Sequence, residues 1–461
     1  MKIFLSIVLL SLLFLTACRK ENFITSPDAR VVLSADTLKY DTVFTTTGSV
    51  TQSFKIINDN NQKLRISSIK LMGGASSVFS MNVDGLAATE ATNLEVAARD
   101  SLYVFVQVRV DPSADDLPFV ARDSIVIAYN GVEKKVQLEA WGQNAHFFRN
   151  KEIISDETWS NDLPYVVLGY LYVAPGVTLT LQKGVRIYAH ADAPVIIDGS
   201  LQANGEKDTA NRIYFQGDRL DQPYSDYPAA WPGIYFREGS GDNVLNHVVI
   251  KNAYQGIVTE GPSPNASPKI TLNQCIIDNA YDAGILGSRS SITATNCLVS
   301  NCGKNIVLEK GGSYDFTHCT VVAYSNSYIN HKDPVLLVTD ANAAMATSAL
   351  FRNCIFWGES GAVDDEVVLD KKTAQPFSVT FDQVLWKVKE LPPAATIVAP
   401  QPINNQPPVF DSIDVSRRIY RFYLQGTSPA LNAGKVTGTG IDLDGNPRPV
   451  GLPDLGCYER Q

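Results

Sequence analysis

Apolar and polar residues alternate with a period of two over much of this chain, and between Leu245 and Trp357 that alternation itself recurs. Five segments align: LNHVVIKN (245–252), LNQCIIDN (272–279), ATNCLVSN (294–301), FTHCTVVA (316–323) and FRNCIFWG (351–358). Val248, Cys275, Cys297, Cys319 and Cys354 hold the fourth position, and Ile250, Ile277, Val299, Val321 and Phe356 the sixth. Positions two apart face the same side of a strand, so both sets point inward. Cys275, Cys297 and Cys319 stand 22 residues apart, and the step to Cys354 widens to 35. A period near that length which tolerates insertions marks a solenoid. The runs are short, β-branched and two-periodic, which makes each turn a coil of parallel strands rather than of helices. Asn252, Asn279 and Asn301 follow two positions on and are expected to point inward as a stacked ladder. Gly256-Ile257, Gly284-Ile285 and Asn305-Ile306 then restart each coil as a turn residue followed by an inward aliphatic. The pattern predicts a right-handed parallel β-helix over 144–390.

The outward positions are less regular. Lys251 and Asp278 share a column, as a solvated ion pair would. The adjacent column, Val249, Ile276, Leu298, Thr320 and Ile355, is apolar on a surface that should be polar. Either another part of the chain covers this stripe, for which the residues after the last coil are available, or it is a contact surface.

Ahead of the solenoid, residues 31–143 alternate in the antiparallel manner. Leu102, Val104, Val106, Val108 and Val110 share one face, and Tyr103, Gln107 and Arg109 the other. Asn130-Gly131 predicts a two-residue hairpin between Ile125–Tyr129 and Val136–Ala140. About seven strands in this length suggest an immunoglobulin-like β-sandwich, so the whole chain reads as all-β. Residues 144–164 form a connector, and packing of the sandwich or of this connector against the first coil would cap its exposed strand edges. Six prolines in 391–408 suggest an extended linker, with 391–461 forming that linker and a closing segment.

Charge and the ends of the chain narrow the class. The 461 residues carry 39 Lys and Arg against 48 Asp and Glu, a net charge of −9, which argues against a nucleic-acid partner. Lys2 precedes a short apolar run, Ile3 to Ala17, ending in Leu15-Thr16-Ala17-Cys18. This predicts a signal peptide over 1–18 with a lipobox, an acylated Cys18 that holds the protein to a membrane, and a polar tether over 19–30. The expected location is the bacterial outer membrane, on its periplasmic face or at the cell surface. Cys275, Cys297, Cys319 and Cys354 form a linear column, which suits neither disulfide geometry nor tetrahedral zinc. They are read as small buried hydrophobes, and no metal or cofactor is expected.

Several stretches resemble known families. Val173 to Leu181, Gly184-Val185-Arg186-Ile187, Ile196 to Gly205 and Trp231-Pro232-Gly233-Ile234 resemble right-handed β-helix cell-surface lipoproteins. Asn58, Leu64 to Gly74 and Phe79 resemble Ig-like modules of the ASPM–SPD-2–Hydin type. Thr427 to Gly434, Asp442 to Arg448 and Pro453 to Glu459 resemble the C-terminal block of β-helix proteins called choice-of-anchor Q. The resemblance implies a β-helix over roughly 165–360, ended by the block at 420–459. It implies little about activity, because this fold carries lyases, hydrolases and adhesins. Asp442, Asp444 and Asn446 lack the glycine and glutamate spacing of an EF-hand and are read as Asx turns.

Candidate chemistry is sparse. An insertion, DRLDQPYSDYPAAWPG at 218–233, brings Asp221, Tyr224, Asp226, Tyr227 and Trp231 onto a loop that could stack and hydrogen-bond a sugar. The alternative is a decorated turn with Trp231 packed beneath it. Lys251, Asp278, Asp282, Arg289 and Lys304 could flank a groove. Asp364-Asp365-Glu366 reads as a solvated turn, and no catalytic set is assigned. The function expected is an envelope-anchored lipoprotein with a non-catalytic β-helix surface for binding or scaffolding, its partner a polysaccharide or a surface protein. The alternatives are a polysaccharide lyase or glycoside hydrolase, and a structural part of an envelope assembly.

Overall fold

Strands dominate the computed structural model, which describes residues 22–44, 51–109, 119–220, 222–398, 400–448 and 451–461. Cys18 and its signal segment, Val110 and Asp221 lie outside them. The chain divides at Asn144/Ala145 into two compact units.

The first unit is a β-sandwich. One sheet contains Lys63–Leu71, Phe119–Tyr129, Val132–Gln143 and Thr37–Phe44; the other orders Val31–Leu33, Gln52–Asn58, Ser101–Val108, Phe79–Val83 and Leu86–Ala87. Leu102, Val104, Val106 and Val108 are buried between them, whereas Tyr103, Phe105 and Gln107 face out. Asn130 and Gly131 both adopt positive φ, 46° and 78°, the backbone that a two-residue hairpin with right-handed twist requires. Asn58 is fully buried, and its amide donates to the carbonyls of Gln62, Val96 and Ala97. A buried amide bonded this fully tethers two loops without leaving a bare donor.

The second unit is a parallel β-helix with three faces. On the first face Ile234–Phe236, Gln255–Glu260 and the start of Ala283–Thr295 pair in register; on the second Asn243–Asn246 and Ile270–Asn273 continue into the end of Ala283–Thr295. The third face stacks Arg186–Ala189, Ile213–Gly217, Val248–Lys251, Ile276–Asp278, Leu298–Ser300 and Thr320–Tyr324. Inward aliphatics from all three fill one continuous core. The cysteine column lines that core, each thiol reaching a carbonyl of the coil before it: Cys275 to Leu245, Cys297 to Leu272, Cys319 to Ala294 and Cys354 to Phe316. All are free and buried, and burial pushes the thiols of Cys275, Cys297 and Cys319 well up.

Two corners are built on left-handed residues. Between the second and third faces stand His247, Gln274, Asn296, His318, Asn353 and Gln383, with φ between 49° and 63°. Between the third and first stand Asn252, Asn279 and Asn301, at 61°, 57° and 53°. Asparagine tolerates this conformation because its short amide bonds locally. The expected inward ladder is therefore a corner ladder: Asn279 Nδ2 donates to Asn252 Oδ1 at 2.9 Å, and both amides also reach the 218–233 loop. Gly256 and Gly284 lie inside strands rather than in turns. A Cβ on Gly284 would meet Asn305 O at 2.7 Å and Val299 Cγ1 at 2.8 Å, so coil-to-coil contact is what requires glycine there.

Rings pack in the core near both ends of the helix. Trp159 stacks on Tyr165 at 4.3 Å with Phe148 beside them; toward the other end, in the coil before the last, Phe381 packs on Phe351 and Trp386. The connector is itself the first coil, since His146–Ile153 pairs in parallel with Tyr165–Val173. The expected proline linker is also corrected. Ala395–Val398 and Ile403–Asn404 pair in parallel with Phe377–Trp386 and complete a last coil. Pro392, Pro393, Pro400 and Pro402 flank those strands, where no ladder N–H is required of them.

The apolar stripe on the third face is covered. Ile276, Leu298 and Ile355, with Val322, Tyr324, Trp357 and Leu385, share a second core with Phe410, Phe422, Leu424, Leu443, Leu455 and Cys457. The hairpin Phe410–Asp414 with Ile419–Leu424 and the block behind it lie on the outside of the coils. Corner residues fasten that block: Asn296 Nδ2 donates to Ile441 O, and Asn353 exchanges hydrogen bonds with Lys435 N and O. Asp442 Oδ1 accepts from the backbone N–H groups of Asp444 and Asn446, an Asx turn, while its Oδ2 accepts from Glu459 N.

Candidate binding cleft

The outward column of the third face next to the stripe stays polar at Lys251, Asp278 and Ser300. Lys251 Nζ lies 3.9 Å from Asp278 Oδ2, and Ser300 Oγ donates to Asp278 Oδ1 at 2.7 Å. The 218–233 insertion rises on one side and the C-terminal hairpin on the other. Between them is a cleft of about 160 Å³ lined by Ser225, Asp226, Lys251, Asn252, Asp278, Asn279, Asn301, Asn326, Tyr328, Arg418 and Tyr420.

Its walls are tied together. Arg418 Nη1 sits 2.8 Å from Asp226 Oδ2 and its guanidinium lies over the Tyr328 ring; Tyr227 meets Tyr328 edge to face at 4.9 Å and Tyr224 at 5.3 Å. The corner amides hold the loop from beneath, Asn252 to Ser225 O and Asn279 to Asp226 O. Tyr420 Oη, on the hairpin, has no hydrogen-bond partner among the described residues. Burial, then the nearby Asp278 carboxylate, raises its pKa, so the phenol keeps its proton and remains a donor. The cleft thus offers amides, phenols and two balanced charge pairs.

The structure distributes the sequence candidates unevenly. Lys251 and Asp278 form the floor, whereas Tyr224 and Tyr227 do not line the cleft: Tyr227 packs against the lining residue Tyr328, and Tyr224 against Tyr227. Trp231 does not belong to the cleft. It is 1% exposed, packs beside Phe215 and donates Nε1–H to Lys251 O, because the inward position of its coil needs an apolar group. Asp282 lies around the corner on the first face, bonded to Gln255 and Lys304. Arg289 is farther away, paired with Glu238 at 2.9 Å beside a separate depression of about 290 Å³ that also includes Glu260, Ser288 and Lys310. The constellation of Lys251, Asp278, Asp282, Arg289 and Lys304 therefore does not converge. Near that second depression Lys269 is fully buried, donating to Arg237 O and Glu238 O, and burial lowers its pKa to about 8.

Sequence reasoning missed Arg418, Tyr420, Tyr328 and the asparagine amides as cleft residues, since they come from segments far apart in the chain. Glu366 was misread as solvated. It is fully buried with Oε1 2.9 Å from His331 Nε2, and Gly358 provides the space, for a Cβ there would collide with both.

No match is found among curated proteins. Solved structures with local similarity include a family 123 glycoside hydrolase from Clostridium perfringens, 11% identical over 27% of this chain and 26% of that one, with a TM-score of 0.19. Others are PapD-like domain 7 of human CEP192, 6% identical over 26% and 89% with a TM-score of 0.19, and the Salmonella enterica SafA pilin–SafB chaperone complex, 13% over 27% and 58% with 0.17. The matched part spans about a quarter of the hydrolase's length, and at these scores the likenesses carry no argument about activity. The family described as right handed beta helix region matches residues 183–321, so the stretch that builds most of the cleft floor is similar in sequence, as it is in form, to that family.

Proposed function

We propose that this chain is an envelope-anchored lipoprotein, held to the outer membrane through Cys18, whose β-helix presents a non-catalytic binding surface with the corner cleft as its ligand site. A glycan is the ligand class that suits it. One observation carries the reading: a loop, three coils, a second loop and the C-terminal hairpin converge on a small pocket rich in amides and phenols. Such groups recognise hydroxyls by direction rather than by charge. The carboxylates and cations of the cleft are each bound to one another, Asp226 with Arg418 and Asp278 with Lys251 and Ser300. That arrangement favours holding a ligand over transferring a proton to it. The spacer role falls to the N-terminal sandwich, read as an Ig-like module.

The test is to incubate the full-length protein with a panel of neutral and acidic polysaccharides. Binding, unsaturated-product absorbance and new reducing ends are followed together. Binding without turnover, weakened by Asp278→Ala and Arg418→Ala, is the expected result. Turnover of any polysaccharide would sink the non-catalytic reading in favour of a lyase or hydrolase.

A further inference from the structure

The coils are of unequal length where the third face turns into the first. From corner residue to inward isoleucine the chain takes five steps in one coil (Asn252 to Ile257), six in the next (Asn279 to Ile285) and five again (Asn301 to Ile306). Backbone pairing shows where the extra residue goes. Tyr281 N donates to Ala253 O and Asp282 N to Tyr254 O, then Gly303 N donates to Ala280 O and Lys304 N to Asp282 O. Two residues, Tyr281 and Asp282, thus stand where the neighbouring coils have one each, Tyr254 and Gly303. An extra residue in a parallel ladder is accommodated as an outward bulge.

The bulge puts an aromatic side chain into solvent. Tyr281 is 51% exposed and Tyr254 45%, and their rings stack with centroids 5.9 Å apart. Tyr254 therefore occupies one side of the Tyr281 ring. On the other side the next coil has Gly303, where a Cβ would collide with the Tyr281 carbonyl oxygen. The bulge itself compels glycine, so position 303 has no side chain with which to cover the second ring face. Polar groups edge this spot. Asp282 Oδ2 accepts from Gln255 Nε2 at 2.8 Å, and Lys304 Nζ approaches Asp282 Oδ1 at 3.3 Å.

We propose that the Gly303 side of the Tyr281 ring is a sugar-stacking subsite for a neutral glycan. A pyranose lays its apolar C–H face on the ring, removing both from water. Its hydroxyls donate to the Asp282 carboxylate and accept from the Lys304 ammonium. The ligand is neutral because the one carboxylate and the one ammonium at the rim already balance. The subsite lies around the corner from the cleft, and it rests on the reading above only in taking a glycan as the ligand class.

The experiment is isothermal titration of the full-length protein with hexasaccharides of the cello-, xylo-, manno- and β-1,3-gluco series, with oligogalacturonate as the acidic member. Native protein, Tyr281→Ala, Tyr281→Phe and Asp278→Ala are compared, with unfolding midpoints recorded to confirm that the exposed-ring variants stay folded. At least one neutral hexasaccharide is expected to bind. Tyr281→Ala should weaken it about tenfold or more and Tyr281→Phe by no more than about threefold. Equal binding by Tyr281→Ala, or binding of oligogalacturonate alone, overturns the subsite. Loss in Asp278→Ala without loss in Tyr281→Ala overturns the subsite and leaves the cleft standing; the converse overturns the cleft and leaves the subsite. Silence across the whole panel overturns both.

Discussion

His318 sits at a left-handed corner with no exposed surface and is bonded on both ring nitrogens. Arg448 Nη1 lies 2.9 Å from Nδ1, so that nitrogen accepts, while Nε2 faces Asn353 Nδ2 at 2.9 Å and Thr437 Oγ1 at 3.2 Å. Burial and the Arg448 guanidinium lower its pKa from the usual 6.5 to about 3. The unfolded chain binds this proton below about 6.5 and the folded chain does not until about 3, so stability rises with pH across that window and is lost as pH falls through it. The loss is roughly 1.4 kcal/mol per pH unit crossed. Chemical unfolding at pH 6.5 and pH 4 measures it. His318→Asn, which places there the residue that Asn296 and Asn353 already supply at equivalent corners, should flatten the acid limb. The corner was visible in the sequence as the third position of each repeat, occupied by His, Gln or Asn. It was passed over because the cysteine beside it drew the inward assignment.

At the scale of elements, the apolar stripe was legible and its cover was half legible. Ile276, Leu298 and Ile355 could be placed in one column from the repeat alone, and only a packed segment makes such a column tolerable in water. The residues after the last coil were named as available to cover it, but how they seat there, and that they would also wall a cleft, depended on contacts between residues more than a hundred positions apart, as between Asn296 and Ile441. The last coil was hidden by its prolines, which signal a linker locally yet lie at strand ends. Leu298→Asp puts an unpaired carboxylate beneath the cover and should cost about 3 kcal/mol or more. Limited proteolysis reads the effect: cutting within 403–461 should accelerate, while the sandwich remains as resistant as before.

For the whole molecule, the fold class followed from periodicity, since a two-residue alternation that repeats every coil leaves few other architectures. The cleft did not follow, because a pocket is a property of neighbours in space and its floor residues look like any solvated pair in sequence. The proposed attachment is a separate matter, read from the sequence of the first eighteen residues alone. Cys18→Ser should abolish palmitate labelling and move the protein from the membrane to the soluble fraction, as loss of a multiply acylated anchor requires. Retention in the membrane fraction by that variant would rule out Cys18 as the anchor.

The buried cysteine column also sets a race. Once the coils close, these thiols point into a packed core, where burial raises the pKa of Cys275, Cys297 and Cys319, so the column should not react with an aromatic disulfide reagent in the native protein. A chain exported unfolded into an oxidising compartment, as the proposed lipoprotein would be, exposes these thiols together with Cys302 and Cys457. Every disulfide formed then would tie together coils that must lie in parallel register. Refolding from urea should accordingly succeed under reductant and fail in proportion to added oxidised glutathione, and an exported chain would have to close its coils faster than their sulfurs can be paired.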